Sequence, residues 1–152
     1  MNETKSKFSI LLPTLNEANN LKKLIPEIIS ELSHIDKKSY EILVVDDSST
    51  DNTQEIMNSL SAKYENIKLL KRTKKRSLPL SIFDGINSSR FENVMWLDAD
   101  GSMSASAVKI LIDKFLDDPQ SVVIGSRFVD GGGYKGIQDA ENKSIVKSIL
   151  NV

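Results

Sequence analysis

The sequence predicts an α/β fold built on a mainly parallel central sheet, and three observations predict it. Short apolar runs rich in β-branched residues recur without the polar–apolar alternation of a half-solvated strand. Segments with apolar residues at helical spacing stand between them. Acids and turn formers come directly after the runs, which is where open α/β sheets place their ligands.

The first run, FSILL (8–12), opens the pattern, and EILVV (41–45) repeats it. Between them Leu21, Leu24, Ile25, Ile28, Ile29 and Leu32 follow the i, i+3, i+4 rhythm of one helical stripe. After the second run, SSTDNTQEIMNSL supplies capping residues and then Ile56, Met57 and Leu60, predicting a helix from near Asp51. NIKLLK (66–71) is a further strand candidate, followed by NVMWL (93–97). SASAVKILIDKFLDDP places Val108, Leu111, Ile112 and Phe115 on one helical face and stops before Pro119. SVVIG (121–125) is read as the last buried strand. Alternating strands and helices imply right-handed βαβ crossovers. From Gly125 to Gly136 the chain carries five of its seven glycines, and ENKSIVKSILNV resumes a helical pattern.

At 152 residues, 39% hydrophobic and 27% charged, the chain is long enough for one core, so a single domain over 1–152 is expected. Twenty basic and 21 acidic residues leave a net charge of −1, which recruits no nucleic acid through a global field. The absence of cysteine excludes disulfides, thiolate metal sites and thiol nucleophiles, and fits a reducing compartment. His34, the only histidine, lies in the polar stretch SELSHIDKK and reads as a surface residue rather than a hydrolase base. No apolar run approaches the roughly 20 residues that span a bilayer, and MNETKSK lacks a signal-peptide core. A cytoplasmic protein is the expectation, with peripheral contact at the cytoplasmic face of a membrane left open.

At the strand ends stand PTLNE (13–17), DDSSTD (46–51), DADGS (98–102) and SRF (126–128). Each alone reads as a turn or a helix cap; for DADGS the plain alternative is a cap by Asp100 or Ser102. Pooled on one sheet edge, Asp46, Asp47, Asp98 and Asp100 repel one another unless a cation or donors lie nearby, and a hard divalent ion suits oxygen ligands.

In this order ILLPTLNEANNL, EILVVDDSSTDNT, WLDADGS and VVIGSRFVDGGG resemble the family 2 glycosyltransferases of GT-A fold, most closely their polyprenyl or dolichyl-phosphate sugar synthase branch. The resemblance covers roughly residues 8 to 150. It implies a Rossmann-like α/β/α sandwich and an inverting transfer of a hexose, mannose or glucose, from a GDP- or UDP-linked donor to a polyprenyl phosphate. It places Pro13, Leu15, Glu17, Asp46, Asp47, Asp98 and Ala99 at the nucleotide. Asp98 and Asp100 match the Asp-x-Asp pair through which the family holds Mg2+ or Mn2+, with Ser102 at a neighbouring, sometimes metal-contacting position. Arg127 matches an arginine facing donor or acceptor phosphates, and Lys143 and Ser144 fall where the branch places acceptor-phosphate contacts. The implied catalytic set is Asp98, Asp100 and Arg127.

The chain departs from the branch in three places. Leu15 stands where tyrosine is usual. SLP (77–79) replaces a Gly-Leu-Gly turn, so contacts made by that loop are in question. SMSAS follows Asp100 in place of a His and a Pro-Glu. KRTKKR (71–76) reads first as a solvated loop and second as a guide for an anionic substrate or membrane surface; it lacks the interleaved aromatics of an RNA site. Family members ordinarily continue well beyond this length, which suggests a donor half, truncated on the acceptor side and active alone or with a partner chain or second copy. Alternatives left open are a transferase acting on a polysaccharide or protein hydroxyl and a non-catalytic nucleotide-sugar binding module. A nucleotidyltransferase is disfavoured, since no glycine-rich phosphate loop comes after the first strand.

Overall fold

A computed structural model describes residues 6–126 and divides into two compact units, one up to Met103 and one from Ser104 onward. The first unit holds a four-stranded parallel sheet of β1 (Phe8–Thr14), β2 (Tyr40–Asp46), β3 (Ile67–Lys71) and β4 (Asn93–Trp96), in the order β3-β2-β1-β4. β1 and β2 are buried along their whole length, as unalternating apolar strands covered on both faces must be. Their register runs from Phe8↔Tyr40 to Thr14↔Asp46.

That strand order fixes where the helices go. The chain moves outward from β1 through α1 (Ala18–Glu31) to β2, and through α2 (Thr53–Lys63) to β3. It then returns through α3 (Leu78–Ser88) to β4 on the other side of β1. Right-handed crossovers put α1 and α2 on one face and α3 on the opposite one. α1 packs against α2, and α3 lies over β1 and β2. The reversal between β1 and β4 opens a crevice at the carboxyl ends of those two strands.

The α1 stripe behaves as its spacing requires: Leu21, Leu24, Ile25, Ile28 and Leu32 are buried. Pro26 sits within α1 and removes one intrahelical bond, that to the carbonyl of Lys22, an exposed position where water can replace it. α2 begins at Thr53, two residues beyond Asp51, whose carboxylate accepts from the Thr53 amide and hydroxyl. The same carboxylate accepts from the Ala18 amide at 3.1 Å, so one acid serves the first turns of α1 and α2 together. Partial burial pushes the Asp51 carboxyl up, but the hydrogen bonds from Thr53 and Ala18 outweigh it and hold its pKa below the usual 3.8.

Two elements differ from expectation. α3 carries no sequence signal as a core helix, because its inner positions are Ser81 and Gly85 rather than large apolar residues. Gly85 allows the close approach: a Cβ there would stand 3.0 Å from Val45 Cγ2 and 3.1 Å from a Leu11 methyl. SVVIG, read as a strand, makes only a single bridge at Val123, with Val122 and Ile124 largely exposed. A β-branched run becomes a strand only where partners cover it, and among the described residues Val122 and Ile124 stay uncovered.

In the second unit α4 (Ala105–Asp117) buries Ala105, Val108, Leu111 and Ile112; Phe115, expected on the same face, is half-buried. Its cap is Ser104, whose hydroxyl accepts from the Ala107 amide, and not Asp100 or Ser102. Among the described residues no helix is long and apolar enough to cross a membrane.

Candidate functional site

At the carboxyl edge the turns after β1 and β2 are laced together. Asn16 has φ +59°, a left-handed conformation that Asn adopts more readily than most residues. Held there, its amide donates to Ser49 Oγ at 2.8 Å, and its side-chain oxygen accepts from the Thr50 amide at 2.7 Å. Ser48 is also left-handed, at φ +65°, with its hydroxyl bonded to the Arg72 carbonyl. Two strained residues in adjoining turns mark a place where backbone shape is over-determined.

Asp46 and Asp47 are both buried. Asp46 Oδ1 accepts from the amide and hydroxyl of Ser49, so it braces its own turn and does not line the cleft. Asp47 pairs through one oxygen with Arg72 and through the other accepts from the Ser77 amide at 2.7 Å. Arg72, buried within the basic run, also reaches Ser81 Oγ and Asp84, the latter at 2.8 Å. The hydrogen bond to Asp84 and the charge of Asp47 outweigh burial and raise the Arg72 pKa. The hydrogen bond from Arg72 in turn lowers that of Asp84, helped by Lys74. KRTKKR is therefore not uniformly solvated: its second residue pins β2, the loop after β3, and α3 together.

Ser77 caps α3, accepting from Leu80 N, and Pro79 falls in the first turn, where a missing N–H costs nothing. The SLP departure thus leaves an ordinary helix start beside Asp47.

Beyond β4, Leu97 donates to the Leu11 carbonyl, prolonging the β1–β4 pairing by one residue. Since Leu11 pairs with Trp96, the register carried two residues further brings Asp98 level with Pro13. Ala99 is buried between Asp98 and Asp100, whose own surfaces are exposed. Asp100 Oδ1 accepts from the Ser102 amide in a local turn passing through Gly101, whose φ of +75° requires glycine.

These pieces enclose an open cleft of about 450 Å3. Pro13, Leu15 and Glu17 line it from the end of β1 and the turn after it, Asp98, Ala99 and Asp100 from the turn after β4, and Asp47 and Ser77 from the end of β2 and the start of α3. Six of the seven residues expected at a nucleotide are brought together; Asp46 is the exception. Arg76 also lines the cleft, its guanidinium donating to the Ser48 carbonyl at 2.7 Å. Arg72 and Arg76 were not legible as individuals, since five bases in six residues look alike until one is buried. Ser102 is exposed next to Asp100, outside the cleft lining. His34 is an exposed residue, as its polar setting implied. Arg127, Lys143 and Ser144 lie outside the described residues.

Among the described residues no three acidic or histidine side chains group closely enough to hold an ion unaided. Asp98 and Asp100 still suit a hard cation: both are carboxylates on one exposed turn, and the described residues commit no protein donor to Asp98. Mg2+ commonly binds through one or two carboxylates, completing its shell with water and substrate phosphates.

A parallel sheet that reverses between β1 and β4, with an acid-lined cleft at the reversal, defines an α/β domain of GT-A type. Residues 9–151 match the model of glycosyl transferase family 2, and the chain belongs to that family. It is 35% identical over 126 residues to the dolichol-phosphate mannosyltransferase of Pyrococcus furiosus, covering 83% of this chain and 34% of that protein. Against the dolichyl-phosphate beta-glucosyltransferase of Trichomonas vaginalis it is 31% identical, covering 79% and 40%. The S. aureus TarS structure in complex with UDP superposes with a TM-score of 0.62 at 26% identity, over 77% of this chain and 34% of that one. Pyrobaculum calidifontis mannosyltransferase PcManGT, solved with GDP-Man and Mn2+, shares the fold with a TM-score of 0.62 at 22% identity, over 82% and 37%. The chain spans between about a third and a half of the length of the curated relatives it matches.

Proposed function

We propose that this chain is the donor-binding part of an inverting glycosyltransferase that moves a hexose from a nucleotide diphosphate to a polyprenyl phosphate. The observation that carries the reading is that exposed Asp98 and Asp100 line the cleft together with the PTLNE turn, which stands beside them at the same level of the sheet. On this reading Pro13, Leu15 and Glu17 meet base and ribose, Asp47 faces the nucleoside from the end of β2, and Ala99 packs between the acids. A single nucleotide-sugar-binding domain over 1–152 belongs to the proposal.

Departure of the sugar leaves growing negative charge on the diphosphate. A Mg2+ or Mn2+ ion held by Asp98 and Asp100, with Ser102 beside them, would supply charge neutralisation at the leaving group. Arg76, already in the cleft, and Arg127 add cationic donors for phosphate oxygens, and Lys143 and Ser144 are assigned to the acceptor phosphate. A phosphate acceptor is anionic near neutral pH and needs no strong base, which agrees with a cleft lined by no histidine. The relatives named as dolichol-phosphate mannosyltransferase and dolichyl-phosphate beta-glucosyltransferase support this acceptor class over a hydroxyl.

Incubating the chain with GDP-mannose or UDP-glucose, Mn2+ and a polyprenyl phosphate tests the reading directly. A lipid-linked hexose of inverted anomeric configuration is the expected product. Transfer to a saccharide hydroxyl in its place would reassign the acceptor, and nucleotide binding without any product would make the chain a binding module.

A further inference from the structure

α3 is built inside out. Toward the sheet it turns Ser81 and Gly85, with the half-buried Asp84 tied to Arg72. Away from the sheet it turns Leu80, Phe83 and Ile86, which are 45%, 58% and 47% exposed, and Leu78 beside them is 49% exposed. A globular helix ordinarily places its apolar arc inward, whereas among the described residues this arc stays exposed. Immediately before it come Lys71, Lys74 and Lys75, all exposed. The one acid on the helix, Asp84, is already engaged by Arg72 and, at 3.8 Å, by Lys74. An exposed apolar arc flanked by cations in excess of nearby acid is the pattern of a surface that settles into an anionic lipid interface.

Continuity with the cleft points the same way. Leu78 both lines the cleft and opens the apolar arc, so the arc runs from the cleft mouth along α3. A second copy of the same face would bring no acid to meet the lysines, whereas phosphatidylserine headgroups would.

We infer that the outer face of α3, with Lys71, Lys74 and Lys75, docks the protein on an anionic bilayer and sets the cleft mouth against it. The inference rests on the donor-cleft reading for its purpose: a lipid phosphate acceptor would then meet the cleft without leaving the membrane. Docking itself requires neither donor nor metal.

Flotation of the full chain with phosphatidylcholine vesicles, with and without phosphatidylserine, tests it in the absence of nucleotide. Binding to the phosphatidylserine vesicles is expected, weakened by salt and reduced about tenfold or more in Phe83→Asp. Lys74→Glu with Lys75→Glu should remove the preference for phosphatidylserine. Both variants change exposed side chains; a thermal melt and GDP or UDP titration are expected to match wild type, keeping a docking defect distinct from a failed donor site. No flotation by the folded wild type, or equal flotation by Phe83→Asp, would overturn the inference. So would a concentration-dependent dimer that Phe83→Asp abolishes in a protein that does not float.

Discussion

Asp46 and Asp47 at the end of β2 are buried and bonded to protein, whereas Asp98 and Asp100, just past β4, lie exposed beside the same cleft. The two pairs stand at the carboxyl ends of the strands that flank β1, and the surroundings of the two turns separate them. After β2 the chain meets the loop that leaves β3, which brings Arg72 and Ser77 onto Asp47. After β4 the backbone turns through Gly101, with the Ser102 amide donating to Asp100, and the described residues commit no donor to Asp98. Asp47 is thus neutralised by an internal guanidinium, whereas Asp98 stands exposed with no donor from the described residues. One pair builds the turns around the cleft; on the proposed reading the other serves the ligand that enters it.

The sharpest break of this contrast is chemical. Asp98→Asn or Asp100→Asn should lower hexose transfer by about 100-fold or more, since a cation's charge stabilisation at the leaving group goes with them. Urea unfolding should stay within about 0.5 kcal/mol of wild type for Asp98→Asn, whose exposed side chain takes no donor from the described residues. Substituting the buried cation works the other way. Arg72→Met leaves Asp47 buried without its partner, and the expected loss is about 3 kcal/mol in the urea unfolding free energy. Smaller again is Asn16→Ala, which removes the tie to Thr50 and puts alanine in a left-handed conformation. About 1–2 kcal/mol should be lost, with weaker nucleotide binding because the PTLNE turn loosens.

The smallest effect is set by pH. Asp51 and Asp84 both have pKa values held below the ordinary 3.8, so each contributes stability that is full above the unfolded value and lost as pH falls through the folded one. The urea midpoint should therefore be level near neutrality and decline below about pH 4. Asp51→Asn should flatten part of that decline.

Sheet, crossovers and the α1 stripe were legible because burial on both faces, or on one helical face, leaves its period in the sequence. The cleft walls were legible because ligand sites of open α/β sheets lie past strand ends, so PTLNE and DADGS were the places to look. Three features left no such trace. α3 was missed because its inner face is Ser81 and Gly85, and its apolar residues point outward. Arg72 was hidden among five bases, since its burial depends on Asp47 and Asp84 arriving from β2 and α3. Asp46 was placed at the nucleotide by family pattern, yet its carboxylate is used by Ser49 three residues on. In each case a tertiary partner, distant or local, decides a role that the residue type alone leaves open.

Calorimetric titration of GDP and UDP into wild type and Asp98→Asn, each with and without Mn2+, tests the division of labour most directly. Wild type is predicted to bind one of the two nucleotides in a Mn2+-dependent manner, and Asp98→Asn to lose that dependence while unfolding at the wild-type urea midpoint. Undiminished Mn2+-dependent binding by Asp98→Asn would contradict the assignment of the exposed pair to the cation.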